Sequence, residues 1–200
     1  YKDSNTDYKS NEKQYLFAIT QGGTHKDLRV ESTKQLVDLD FDGYAVGGLA
    51  VGEPRDKMYD ILAESVPLLP EQKPHYLMGV GYPEEIVNAV RLGIDMFDCV
   101  IPTREGRHGR LFMYNNSKDI SFATDDFYHK LTIKNARFST DFSPINEYSS
   151  IPDLRNYSRA YLHHLFKTQE VLGYRLATLN NIEFYLTLMR TIREKLDNGD

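Results

Sequence analysis

Cysteine occurs once in these 200 residues, at Cys99. A lone cysteine excludes an intramolecular disulfide and any metal cage built from cysteines, and it fits a reducing cytoplasm. No apolar run approaches the roughly 18 residues that a membrane-spanning helix needs. The polar start Tyr1-Lys2-Asp3-Ser4-Asn5 does not read as a signal peptide. The expectation is a soluble cytoplasmic protein without a membrane partner. Phosphate-loop signatures are missing too. Gly47-Gly48-Leu49-Ala50-Val51-Gly52 departs from the dinucleotide fingerprint, and no Gly-Lys-Ser/Thr follows any strand candidate, so nucleotide cofactors are unsupported. An overall basic charge is also lacking, the net charge being −5. The charge is unevenly spread: Ile101 to Arg175 carries 11 Lys+Arg against 8 Asp+Glu, the remainder 13 against 21. So small a local excess fits either a nucleic-acid patch or an ordinary solvated surface.

What is present is a regular alternation. Strand candidates are Tyr15 to Thr20, Gly43 to Gly48, His75 to Val80 and Asp95 to Ile101, with helical patterns over Asp27 to Leu39, Pro54 to Ser65 and Pro83 to Leu92. The order βαβαβαβ predicts a parallel sheet, hence an α/β fold, and the length suits one domain or a large piece of one. Pro54 and Pro83 stand where proline favours a first helical turn, and Glu84 and Glu85 suit the positive end of a helix dipole. Each strand leads into a glycine-rich or polar loop: Gln21-Gly22-Gly23, Gly47 to Glu53, Gly79-Val80-Gly81, and Asp98 to Gly109. In (β/α) barrels that end of the sheet is the catalytic face, and glycine there lets backbone approach a ligand. Tight βα turns without a ligand would use the same residues.

The stretch Met96-Phe-Asp-Cys-Val-Ile-Pro-Thr-Arg-Glu-Gly-Arg107 carries the sharpest chemical signal. Asp98 lies in an apolar run that reads as a buried strand, where an unpaired carboxylate is costly, so it needs a partner or a task. Arg104, Arg107, His108 and Arg110 follow, in what reads as a basic loop suited to phosphate. A structural aspartate beside a solvated loop fits the same residues. Cys99, adjacent to Asp98, would face the other side of the strand and reads as packing.

Beyond Thr103 the alternation stops. Leu111 to Tyr114, Ile120 to Ala123 and Leu131 to Ile133 read as short strands of an antiparallel piece, with turns at Asn115-Asn116-Ser117 and Asp125-Asp126. Two closing helices are predicted. Asn156 to Val171 places Tyr157, Tyr161, His164, Leu165 and Thr168 on one side, and Asn181 to Leu196 places Ile182, Tyr185, Met189, Ile192 and Leu196 on a core stripe. His163-His164 reads first as hydrogen-bonded packing, with a phosphate contact or switch as the alternative.

Several long blocks in order resemble the bacterial tRNA-guanine transglycosylases, or queuine tRNA-ribosyltransferases: Tyr44-Ala-Val-Gly-Gly-Leu-Ala-Val-Gly-Glu53, His75-Tyr-Leu-Met-Gly-Val-Gly81, Gly93-Ile-Asp-Met-Phe-Asp-Cys-Val-Ile-Pro-Thr-Arg104 and Asn156-Tyr-Ser-Arg-Ala-Tyr-Leu-His-His164. The resemblance covers Leu16 to Leu196 and corresponds to the second half of that family's protein. It implies a partial (β/α)8 TIM barrel made of the last four βα units, with an inserted antiparallel subdomain and C-terminal helices. The corresponding division is a polar linker over 1–14, the barrel half over 15–102, the inserted subdomain over 103–154 and the closing helices over 155–200.

The family replaces guanine in the anticodon loop of tRNA bearing GUN anticodons with a 7-deazaguanine, in queuosine biosynthesis. The resemblance therefore implies tRNA and a 7-deazaguanine base as partners and Asp98 as nucleophile, forming a covalent ribosyl intermediate with the logic of a retaining glycosidase. Gln21 would bond the purine edge. Gly48 and Leu49 would offer backbone groups to the base, with Glu53 behind them, and Met78 and Gly79 would pack against it. Thr103, Arg104 and Arg107 would meet RNA. Gly48-Leu49-Ala50 resembles bacterial members and implies an aminomethyl-deazaguanine rather than queuine.

Three departures accompany the match. The family's zinc ligands fall at Ser149, Ile151, Leu154 and Asn180, none of which is a cysteine or histidine, so no zinc cofactor is expected, and either apolar packing by Ile151 and Leu154 takes its place or the subdomain is locally loosened. Four βα units cannot close an eight-stranded barrel, so an N-terminal barrel half or a homo- or hetero-oligomeric partner is expected. The family aspartates acting as general acid and base and reading the purine fall in that other half. The segment from Asn115 to Lys130 is longer than the family's connection and has no assigned role. A degenerate, non-catalytic subunit that binds tRNA or stabilises a partner remains the alternative to an enzyme half.

Overall fold

The computed structural model describes residues 14–116 and 120–199. The linker reading of Tyr1 to Gln14 falls outside them except for Gln14, as does Ser117 of the expected turn. Two compact units emerge, one running to Met78 and including Leu92–Met96, the other comprising Gly79–Arg91 and the chain from Phe97 onward.

In the first unit, β1 (Phe17–Thr20), β2 (Gly43–Val46) and β3 (His75–Leu77) run parallel, joined by α1 (Lys26–Val37) and α2 (Arg55–Ser65). Phe17 stands opposite Gly43 and Tyr44 opposite His75, and the sheet order is β1-β2-β3-β4, with β4 at Met96–Phe97. All four residues of β2 are buried, as a parallel strand covered on both faces requires. On β1 only Ala18 and Thr20 are buried, while Ile19 is 44% exposed. Met58, Ile61, Leu62 and Ser65 are the buried stripe of α2, at the spacing of one helical face. Leu62 is fully buried, which contributes roughly 2 kcal/mol of apolar transfer. The start of β3 is tied to the segment before β4: the His75 N–H donates to Asp95 Oδ2 at 2.8 Å, and the Asp95 N–H to His75 O at 2.9 Å.

The second unit contains α3 (Pro83–Arg91), α4 (Ile101–Arg107), the antiparallel pair β5 (Arg110–Tyr114) and β6 (Tyr128–Thr132), then α5 (Pro152–Asn156), α6 (Arg159–Lys167) and α7 (Val171–Asn198). Strand alternation distributes β5 between two apolar clusters. Leu111 and Met113 join Ile133, Ile145, Leu154, Leu162 and Leu176, whereas Phe112 joins Ile86, Phe184 and Leu188. Ring centroids of Phe184, Tyr128 and Tyr185 lie 5.6, 5.7 and 5.5 Å from that of Phe112, within the usual range for paired aromatic rings.

An α/β architecture with a parallel sheet is observed, and several predicted boundaries are corrected. The strand expected over Asp95 to Ile101 contains only Met96 and Phe97, so Asp98 follows the strand and is exposed rather than buried. The expected basic loop is largely helix α4, because Pro102 sits in a first turn where its missing N–H costs nothing. Ile120 to Ala123 forms no strand. The helix expected over Asn156 to Val171 is shorter, α6 alone, with Asn156 ending α5 and Val171 opening α7. Ser158 Oγ caps α6 by accepting the Tyr161 N–H at 3.1 Å, and Gln169 with φ of 57° ends it in a left-handed residue. The last helix begins at Val171, ten residues before the predicted start, and runs 28 residues. His163 is buried with Nδ1 2.8 Å from Ile133 O, as a packing histidine should be.

Candidate functional site

The first unit places its site residues in the loops that follow β1 and β2. Gln21 is exposed at the end of β1, its backbone N–H held by Ser32 Oγ at 3.1 Å. The Gln21 side chain lies over bare backbone. A Cβ added to Gly47 would stand 2.7 Å from Gln21 Nε2, and one on Gly48 2.7 Å from Gln21 Oε1. Gly48 also has φ of +65°, so glycine is required there by conformation and by the glutamine's approach. Leu49, next in the loop, is buried, 4% exposed.

Glu53 closes this loop on itself. Its carboxylate accepts the N–H of Ala50 and, at 3.0 Å, that of Val51. Ala50 adopts φ of 58°, a conformation that L residues avoid, and the carboxylate fixes it there. Burial opposes ionisation of Glu53, but the backbone amides of Glu53 itself, Ala50, Val51 and Gly52 outweigh it and hold the carboxyl below its ordinary value. Met78, half-buried at the end of β3, donates its N–H to Val46 O at 3.4 Å.

Sequence reasoning missed Arg29. It is 1% exposed on α1, and its Nε, Nη1 and Nη2 donate to the carbonyls of Gly23, Thr20 and Gly47 at 2.8, 3.2 and 2.7 Å. Burial lowers its pKa from the ordinary arginine value, partly countered by Glu53. An arginine in a helix without a clear apolar stripe gives no sequence signal of such a role.

In the second unit Asp98 and Gly79 come together: Asp98 Oδ1 accepts the Gly79 N–H at 2.9 Å. This contact fixes one carboxylate oxygen on an otherwise exposed side chain. Two further contacts set the Gly79 to Gly81 loop. Tyr185 on α7 donates its hydroxyl to Gly81 O at 2.6 Å, and a Cβ on Gly81 would overlap Cys99 Sγ. Burial pushes the Cys99 thiol up, with Asp98 adding to the effect and the Ile101 amide opposing it, so Cys99 stays protonated and packs. Burial likewise raises the Tyr185 hydroxyl, keeping it a donor.

Arg104 and Arg107 are exposed on α4, and Thr103 donates its hydroxyl to Val100 O at 3.2 Å, closing the helix's first turn. The cations are not all unengaged. Glu105, 6% exposed, pairs with Arg110 Nη1 at 2.8 Å and approaches Arg104 Nε at 3.7 Å. Asn181 holds this region to α7: its amide donates to Pro102 O and Arg110 O, both at 2.9 Å, and accepts the Phe112 N–H at 3.0 Å. Neither Glu105 nor Asn181 was foreseen.

The four positions matching a zinc site do not fit that ion. Leu154 and Asn180 are fully buried and Ile151 packs on the same apolar cluster. Ser149 donates its hydroxyl to Glu183, whose Oε1 also accepts the Ser150 N–H at 2.6 Å. Asn180 donates to Phe112 O at 3.1 Å and accepts from Asn146 at 3.1 Å. Two of the four side chains have no donor atom, and the other two are engaged elsewhere. Among the described residues no group of three His, Cys, Asp or Glu could hold a metal.

The sequence model of the family described as queuine tRNA-ribosyltransferase matches residues 1–200. The chain is 49% identical over 189 residues to the queuine tRNA-ribosyltransferase of Thermoanaerobacter pseudethanolicus, covering 94% of this chain and 47% of that protein. Against that of Clostridium kluyveri it is 47% identical over 190 residues, 95% of this chain and 47% of the relative. The chain thus spans about half the length of the curated relatives it matches. With its parallel strands, its glycine loops and matches of this extent, the chain belongs to the queuine tRNA-ribosyltransferase family.

Proposed function

We propose that this chain is the catalytic carboxyl-terminal half of a tRNA-guanine transglycosylase, exchanging guanine in the anticodon loop of GUN-bearing tRNA for a 7-deazaguanine. The carrying observation is Asp98, exposed after β4 with one oxygen fixed by the Gly79 N–H. The Asp98 carboxylate attacks the ribose anomeric carbon, the glycosidic bond breaks with its electron pair on the purine nitrogen, and that base leaves protonated. The acid supplying this proton belongs to the other barrel half. An ester between Asp98 and the ribose results. The same group of the other half, left as a base by the first step, takes the ring-nitrogen proton of the incoming deazapurine, which attacks the same carbon and expels the carboxylate. Gln21, Gly48 and Leu49 supply polar groups for the base, Glu53 sets the loop behind them, Met78 and Gly79 pack on it, and Arg104 and Arg107 take up tRNA phosphate with Thr103 at the helix start.

The same reading makes the parallel sheet the second half of a (β/α)8 barrel, completed by an amino-terminal half from the same or a partner chain, in the cytoplasm. The residues that do not fit zinc favour a second reading, a subunit that binds tRNA or stabilises a partner without turnover. Incorporation of labelled guanine into tRNA separates the two. Exchange is expected when the amino-terminal half is supplied and abolished by Asp98→Asn. Binding of tRNA without exchange in every sample would replace the enzyme by the binding subunit.

A further inference from the structure

We infer that Arg29 is a positioning residue for base recognition, clamping the loops after β1 and β2 so that the Gly48 N–H points outward as a donor to a purine carbonyl. The inference rests on the transglycosylase reading and deepens it. A guanidinium that is 1% exposed normally has a carboxylate beside it, because burying a lone charge is expensive. Among the described residues no carboxylate forms an ion pair with Arg29, and all of its contacts are backbone carbonyls. They come from Thr20 and Gly23, flanking Gln21, and from Gly47. One cation thus ties together the two loops that carry Gln21 and Gly48. The Gly47 N–H donates to the same Thr20 carbonyl at 3.1 Å, so the two loops are joined directly as well.

The direction of the Gly47–Gly48 peptide follows. In a trans peptide the C=O and the next N–H point opposite ways. Arg29 Nη2 holds Gly47 O inward at 2.7 Å, which turns the Gly48 N–H away from the guanidinium, at a residue that is itself exposed. Among the described residues that N–H meets no acceptor. A charge-assisted bond to the carbonyl also polarises the peptide, strengthening its N–H as a donor. The Gln21 amide lies over the same two glycines, so the donor and the side-chain amide are presented together. Guanine and 7-deazaguanines share the ring carbonyl that such a pair would take.

The test compares wild type, Arg29→Met and Arg29→Lys, each supplied with the amino-terminal half, by guanine-exchange kinetics. Arg29→Met should raise KM for guanine about tenfold or more, the worth of one recognition hydrogen bond, with KM for tRNA and kcat little changed. Arg29→Lys, keeping the charge but not the three-way fork, should fall between. The glycine-labelled amide spectrum supplies the second readout: guanine should shift Gly48 in wild type and much less in Arg29→Met. If wild type exchanges guanine and Arg29→Met retains its KM, or loses all parameters together in proportion to its unfolded fraction, the inference is overturned while the reading stands. If wild type neither exchanges guanine nor shows a Gly48 shift, the transglycosylase reading fails and the inference with it.

Discussion

The two units of this chain hold their candidate functional groups by opposite means. In the first, the groups offered to solvent are mostly backbone, set on glycine loops and organised by one buried cation, Arg29, and one half-buried carboxylate, Glu53. In the second, they are side chains, Asp98, Arg104 and Arg107, supported by neutral groups: the Gly79 amide, the Tyr185 hydroxyl and the Asn181 amide. Charge directs backbone in one, and in the other neutral hydrogen bonds hold Asp98 and the backbone around α4, with the carboxylate of Glu105 joining them beside Arg104 and Arg110. A charge at the surface is better served by neutral supports, which fix it without cancelling it, whereas loose glycine loops gain most from a cation that grips several carbonyls at once.

The comparison is most severely tested at Asn181. Its replacement by Ala leaves Phe112 N, Pro102 O and Arg110 O without their partner, and should cost about 3 kcal/mol in urea unfolding. A loss under about 1 kcal/mol would show that water substitutes for it and that the second unit does not depend on this amide. Gly81→Ala comes next. Its new methyl overlaps Cys99 Sγ, for which about 2 kcal/mol of overpacking is expected. Adding Cys99→Gly should recover part of it, and strict additivity of the two changes would disprove the contact.

Glu53 sharpens the comparison through pH. Its folded pKa is depressed, so its contribution is fully present above the ordinary glutamate value of about 4.3 and fades as pH falls through the lower folded value. The stability difference between wild type and Glu53→Gln should therefore shrink on acidification from about pH 5 to pH 3, and a pH-independent difference would contradict it. The smallest expected effect is none. Treatment with a chelator should leave the thermal midpoint unchanged, since Ser149, Ile151, Leu154 and Asn180 are held by packing and by Glu183 and Asn146. A chelator-sensitive midpoint would reveal a metal that these residues do not explain.

Much of the first unit was legible in the sequence because its code is local. Continuous apolar β2, the α2 stripe and the glycine loops each announce themselves within a few residues, and β1, β2, β3 and the helices between them lie close to where periodicity placed them. Strand ends were overestimated, because an apolar run such as Phe97 to Ile101 looks alike whether it continues a strand or starts a helix. Only Pro102 hinted at the helix. The site was legible in its motif residues and not in their supports. Arg29, Tyr185 and Asn181 act across separations of up to 104 residues, on backbone atoms that carry no sequence signature, and Glu105 acts locally on the side chain of Arg110. The core stripe expected at Ile182, Tyr185, Met189, Ile192 and Leu196 is corrected, since Ile182 and Leu196 are exposed and Phe184 and Leu188 are buried with Ile192; Tyr185 is half-buried at the cluster's edge, and its hydroxyl, not its ring, reaches Gly81.

The bond from Tyr185 to Gly81 also has a consequence in time. It joins positions 104 residues apart, so the loop that fixes Asp98 is complete only after the last helix has been made. At about 5 to 20 residues per second of synthesis, Asp98 leaves the ribosome roughly 5 to 20 s before its support is finished. A nascent chain therefore carries its carboxylate long before that carboxylate is aimed.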